Sequence, residues 1–208
     1  AQSIPVAKRL GIPRLNLHGT GLDGRGLPVK PIQVVTGAMW LRARDTLARI
    51  NPECRVLPIA ERLTGERLEA EVAAADIVLD CSDNFATRHA INRACVRHAK
   101  PLVSGAAIRF DGQVAVFDSR RDHAPCYNCL FPEGGDVEEV RCAVMGVFAP
   151  LTGIIGATQA AEALKLLIGC GEPLAGRLLL LDGLAMEWRA IAVPRDPACA
   201  VCSAHRPD

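Results

Sequence analysis

Two cysteine pairs constrain this chain more than any other feature: Cys126-x-x-Cys129 in PCYNCLFPEGG and Cys199-x-x-Cys202 in PACAVCS. Four thiolates are enough to close a tetrahedral shell around Zn²⁺, and closed four-sulfur shells are structural. Pro125 and Pro197 stiffen the approach to each pair. The gap between Cys129 and Cys199 is far longer than in a compact zinc finger, so such a site would tie the C-terminal tail to the middle of the chain. Two other readings stand beside it: a redox C-x-x-C next to an unrelated pair, or four buried thiols.

At 208 residues the chain can bury a sizeable core, and the expectation is one domain. Half the residues are hydrophobic and the formal net charge is +1, which gives no electrostatic case for nucleic acid or an anionic membrane surface. The opening AQSIPVAKRLGIP carries Pro5 and Pro13 and no unbroken apolar run, so it does not read as a signal peptide. Nine cysteines in that setting point to reduced thiols in metal or catalytic use and to a cytoplasmic protein. The longest apolar stretch, Val147 to Gly169, is interrupted by Pro150 and carries Gln159, Glu162 and Lys165. Those three recur at every third position and line one side of a helix, which predicts a buried helix with a polar edge, not a membrane span.

Strand and helix patterns alternate along the rest. ARDTLARINPE (43–53) has the helical spacing of Leu47 and Ile50 and stops at Asn51-Pro52. CRVLPIAERL (54–63) reads as a strand and GERLEAEVAAA (65–75) as a helix. DIVLDCSDN (76–84) is a short apolar run with a polar end, as in a central parallel strand. ATRHAINRACVRHA is the next helix, with Ala90, Ile91, Ala94 and Cys95 inward, followed by strands at PLVSGAA and GQVAVFDS. After the cysteine loop come a long helix ending at Ile168-Gly169 and two strands, GRLLLLDGL and EWRAIAV. The fold class implied is α/β: a Rossmann-like, mostly parallel sheet with helices on both faces, extended by antiparallel strands and closed by a zinc-clamped C-terminus.

Ligands of such sheets sit at the carboxyl ends of the strands. LDCSDN delivers Asp80, Ser82, Asp83 and Asn84 to that edge. Two carboxylates three residues apart suit Mg²⁺ held against a nucleotide phosphate. The competing reading is that Asp80 or Asp83 caps the following helix.

The ordered set ADIVLDCSDNFATRHAINRACV, PLVSGAAIRFDGQVAVF, CYNCLFPE, RCAVMGVFAPLTGIIGATQAAEALKLL and CAVC resembles the ThiF/MoeB-type adenylyltransferases, bacterial relatives of ubiquitin-activating enzymes. The resemblance covers roughly Ala43 to Ser203. It implies MgATP-dependent adenylylation of the C-terminal glycine of a ubiquitin-like sulfur carrier, ThiS or MoaD, for thiamine or molybdopterin biosynthesis. It also implies a homodimer with one structural Zn²⁺ per chain. Asp83 matches the family's magnesium and nucleotide-site aspartate, with Asp80, Ser82 and Asn84 beside it, and Cys126, Cys129, Cys199 and Cys202 match the zinc ligands. Cys142, in VRCAVMG, matches the family cysteine that bonds covalently to the carrier in ThiF-like members. As a nucleophile it needs a lowered pKa, which the adjacent Arg141 would supply; an inert thiol is the plainer alternative. Nothing resembles an appended rhodanese domain, so the sulfur donor is expected to be a separate protein.

The first 42 residues depart from the family. They hold no G-x-G-G-x-G loop; GTGLDGRG (Gly19 to Gly26) reads as a turn, Met39 stands where a lysine is expected, and no arginine matches an LSNLQRQ-like segment. The expectation is an altered N-terminal segment, 1–42, from truncation or a frame slip, ahead of an adenylyltransferase-like domain, 43–208. It follows that these 208 residues would bind ATP weakly on their own. Two function classes result: an adenylyltransferase, or a catalytically impaired, zinc-stabilised domain that dimerises or docks a carrier. A nicotinamide-dependent dehydrogenase is disfavoured, because its dinucleotide fingerprint is absent.

Overall fold

A computed structural model describes residues 42–59, 61–134 and 146–203. In chain order the elements are helix α1 (42–50), helix α2 (Gly65–Ala74), strand β1 (Val78–Asp80), helix α3 (Phe85–Arg97), strands β2 (Leu102–Ile108) and β3 (Asp111–Phe117), the short helix α4 (Tyr127–Leu130), helix α5 (Ala149–Ile168), and strands β4 (Arg177–Asp182) and β5 (Glu187–Ala192). The sheet order is β1-β2-β3-β4-β5.

Among the described strands β1 and β2 pair in parallel, with α3 as the crossover, and β2-β3, β3-β4 and β4-β5 are antiparallel. The sheet is thus a mixed one of the α/β class expected, a parallel pair with a three-stranded antiparallel extension that forms its larger described part. The reason is connection length. A parallel pair needs a crossover, whereas β2 and β3 are joined by Arg109 and Phe110 alone, with Arg109 at φ 50° in the left-handed region. The described residues of the stretch 54–63 form no strand. A strand exists by pairing, none of the described strands lies beside this segment, and Pro58 carries no N–H to donate.

Helices cover both faces, and strand alternation sorts the core accordingly. Val78, Leu102, Ala115, Phe117 and Leu178 point to the side of α2 and α3, where Val72, Ala94, Cys95 and Tyr127 meet them. Leu79, Val103, Val114, Val116 and Leu181 point to the opposite side, against Leu151, Ile155 and Ala163 of α5. The period of two along each strand produces this division.

Two helices carry their polar residues inward, against expectation. On α3 the buried face includes Arg88, His89 and Asn92 as well as Ala94, Cys95 and Val96, while Ala90 and Ile91 are half-buried. On α5, Gln159 and Glu162 lie against the sheet side, and the outer surface includes Thr152, Gly153, Gly156, Ala157, Ala160 and Ala161. On α5 both inward polar groups are bonded: Gln159 Nε2 donates to the carbonyls of Asp80 and Val103, and Glu162 Oε2 accepts from Leu174 N at 2.8 Å. By length and composition alone α5 could cross a membrane, with mean hydropathy 1.3 in its most apolar window, but its buried side is committed to β2 and β3.

Leu151, fully buried between α5 and the sheet, should cost about 2–5 kcal/mol when cut to alanine. Ile50, 59% exposed on α1, should change stability by no more than about 0.5 kcal/mol on the same substitution. Urea denaturation of both variants provides the comparison.

Candidate functional site

β1 ends at Asp80, and the chain turns through Cys81, Ser82 and Asp83 into α3. Asp80 is buried; its Oδ1 accepts from Ser82 N at 2.9 Å, and its Oδ2 lies 3.7 Å from Arg88 Nη1. Ser82 is buried as well. Asn84 is the N-cap of α3, its side-chain oxygen accepting from Thr87 N at 2.8 Å. Asp83 is half-exposed, and Asn84 Nδ2 donates to its Oδ1 at 3.4 Å. The helix cap is thus filled by Asn84, neither by Asp80 nor by Asp83. Asp80 and Asp83 do not present a matched pair of free carboxylates: Asp80 is buried beside Arg88, with Oδ1 bonded in the turn and Oδ2 without a hydrogen bond, and Asp83 is the half-exposed one.

Arg88 is a residue of this edge that spacing alone does not reveal. Arg88 is 6% exposed; Nη1 donates to Ser104 Oγ at 3.0 Å, and Nη2 donates to the carbonyls of Ser82 and of Gly105. A buried guanidinium with this many acceptors is a built feature, because a buried cation without partners would cost several kcal/mol. Gln159 was legible only as one of three periodic polar residues.

The two cysteine pairs come together. Cys126 and Cys199 sulfurs are 3.7 Å apart, Cys129 and Cys202 are 3.5 Å apart, and all four lie within 4.8 Å of one another. Four sulfurs placed tetrahedrally at about 2.3 Å from a zinc ion would be about 3.8 Å apart, so the spacing fits such an ion. No disulfide links them. A supporting layer surrounds them: Asn92 Nδ2 donates to Cys126 Sγ at 3.6 Å, Asn128 Nδ2 to Cys199 Sγ at 3.4 Å, and Arg195 Nη2 to the Cys202 carbonyl at 2.5 Å. As thiols, the four share protons unevenly. Hydrogen bonding from Cys126 pulls Cys129 down to about 5, while that same bond and burial hold Cys126 well above the usual thiol range. A divalent cation replaces such shared protons and favours four thiolates.

Cys142, Arg141, Met39 and the glycines from Gly19 to Gly26 lie outside the described residues, as does nearly all of the segment 1–42.

The family model for the ThiF family matches residues 40–201, and the chain belongs to that family. It is 44% identical over 160 residues to a molybdopterin-synthase adenylyltransferase of Escherichia coli, covering 77% of this chain and 64% of the relative. To a sulfur carrier protein adenylyltransferase of Thermus thermophilus it is 47% identical over 166 residues, covering 78% and 61%. To a sulfur carrier protein ThiS adenylyltransferase of E. coli it is 42% identical over 166 residues, covering 80% and 65%. The chain therefore spans somewhat less than two thirds of these relatives. Among solved structures, E. coli MccB with ATP superposes with a TM-score of 0.63 at 20% identity, covering 88% of this chain and 54% of that one, which supports the fold.

The cap assignment has a direct consequence. Asn84→Ala should lower stability by about 1 kcal/mol, and Asp83→Ala by no more than about 0.5 kcal/mol, in thermal melts of the same preparation. Equal losses would return Asp83 to a capping role.

Proposed function

We propose that this chain serves ATP-dependent adenylylation of the C-terminal glycine of a ubiquitin-like sulfur carrier of the ThiS/MoaD type. The observation that carries the reading is Asp83: a half-exposed carboxylate at the carboxyl end of β1, freed from helix capping by Asn84, in a chain of the ThiF family. In the reaction a carboxylate oxygen of the carrier attacks the α-phosphorus of ATP. A new P–O bond forms, the bond to the β-phosphate oxygen breaks, and pyrophosphate leaves with the electron pair, giving an acyl adenylate. The protein's share of such a reaction is positioning and charge compensation. Asp83 is the side chain proposed to hold Mg²⁺ here, and Mg²⁺ when bound offsets charge on the phosphates. Asp80, Ser82 and Asn84 fix the loop that presents Asp83.

We place Zn²⁺ in the Cys126, Cys129, Cys199 and Cys202 cluster as scaffolding, on the strength of the sulfur spacing. A homodimer is supported by the small-residue outer face of α5. Choice of carrier decides between thiamine and molybdopterin biosynthesis, and a covalent role for Cys142 belongs to the ThiF-like route.

ATP–pyrophosphate exchange, run with a ThiS-type and with a MoaD-type carrier, tests the reading. Asp83→Asn should lower exchange by about 10²- to 10³-fold with an unchanged melting temperature. Exchange by the parent that does not respond to either carrier would overturn the substrate assignment.

Metal analysis should find one zinc per chain. Chelation or Cys199→Ser should release the tail and destabilise the fold by several kcal/mol. Zinc-free protein of full stability would remove the metal from this account.

A further inference from the structure

We propose that Arg88 and Gln159, reaching from helices on opposite faces of the sheet, are positioning residues that clamp the loop 81–84 and set where Asp83 presents its carboxylate. The proposal rests on the nucleotide-site reading of Asp83.

The three residues preceding Asp83 are each held by one or both side chains. Gln159 Nε2 donates to Asp80 O at 3.0 Å and to Val103 O at 3.2 Å, and its Oε1 accepts from Cys81 Sγ at 3.4 Å. Arg88 Nη2 donates to Ser82 O and, at 3.0 Å, to Gly105 O. Its charge is balanced by Asp80, 3.7 Å away, so neutralisation happens below the loop and Asp83 is left outside the pair. Arg88 and Gln159 are 6% and 2% exposed, so their bonds face little competition from water.

Gly105 is where the two holds meet. Its carbonyl is an Arg88 acceptor, and a Cβ added there would lie 2.2 Å from Gln159 Cδ. A side chain at position 105 would therefore drive the Gln159 amide off the loop, since the clashing atoms are the far end of a flexible side chain. This links three residues distant in sequence in one testable unit. A purely folding role predicts that their loss lowers stability throughout the protein; a positioning role predicts that the loop loosens first.

The test is amide hydrogen exchange on the zinc-loaded full chain. It compares Gln159→Met, which keeps volume but cannot donate, Gln159→Ala, Gly105→Ala, and the Gln159→Ala/Gly105→Ala double variant. Exchange at residues 81–84 should rise by about tenfold relative to β3 amides in Gln159→Met and in Gly105→Ala. The double variant should be no faster than Gln159→Ala alone, because the added methyl then enters vacated space. In protein competent for ATP–pyrophosphate exchange, Gln159→Met should raise KM for MgATP several-fold more than it lowers kcat. Equal acceleration at the loop and β3, additive effects in the double variant, or unchanged KM with a loosened loop would each overturn the proposal. Loop loosening in a parent that shows no exchange activity would instead leave the clamp standing and remove the adenylyltransferase reading.

Discussion

β1 has three residues and stops at Asp80, while β2 beside it runs on to Ile108 between packed helices. The parallel pairing ends with Asp80 opposite Ser104, so Gly105 has no partner on β1. Arg88 donates to the Gly105 carbonyl from one side of the sheet, and Gln159 adds a donor to the carbonyls of Asp80 and Val103 from the other. The amide of Gln159 and the guanidinium of Arg88 are themselves buried, and an unmet buried polar group costs about 1–3 kcal/mol, so these carbonyls satisfy the two side chains as well. The polar inward faces of α3 and α5 meet at this step, where a Cβ at Gly105 would lie 2.2 Å from Gln159 Cδ.

The same face of α3 extends the arrangement to the cysteine cluster. Asn92 follows Arg88 by four residues and so lies one turn further along the same side. Its Oδ1 accepts from Tyr127 N at 2.9 Å and its Nδ2 donates to Cys126 Sγ. Tyr127 is buried between these two levels, edge-on to Phe117 and His89. Burial pushes its phenol up to about 12, with the Arg88 guanidinium opposing the shift. The helix therefore braces the strand edge with one side chain and the cysteine cluster with the next. The cluster brings Cys199 and Cys202 of the C-terminal segment onto Cys126 and Cys129, beside Val96 of α3.

The parts of this design that were legible in sequence are those written in spacing. Two C-x-x-C pairs state their own geometry, and alternation along β2 to β5 located four strands to within a residue or two. What spacing could not say was which side a periodic face turns. Gln159, Glu162 and Lys165 are three apart, which fixes a common side of α5, but polar residues default to solvent, and only their acceptors and donors on neighbouring elements turn the side inward. The strand expected at 54–63 failed for a related reason: pairing is non-local, and an apolar run carries no record of its partner. Asp83 and Asn84 were ambiguous because both residue types cap helices equally well, and the choice between them is made by the path of the chain.

That choice shapes the chemistry available at the edge. Had Asp83 been the cap, its carboxylate would be occupied by the backbone N–H groups of α3 and drawn away from a ligand. With the neutral Asn84 in that place, the first turn of α3 contains no acidic residue, and the positive end of the helix dipole is left uncompensated beside an outward carboxylate. On the proposed nucleotide-site reading, a phosphate would be favoured by the former and a divalent cation by the latter, so the pair would suit a metal–phosphate ligand better than either component alone. Arg88 could have disturbed this balance, since a guanidinium exposed next to Asp83 would compete for its carboxylate. Burying Arg88 against Asp80 keeps the cation beneath the loop, paired with Asp80 and not with Asp83.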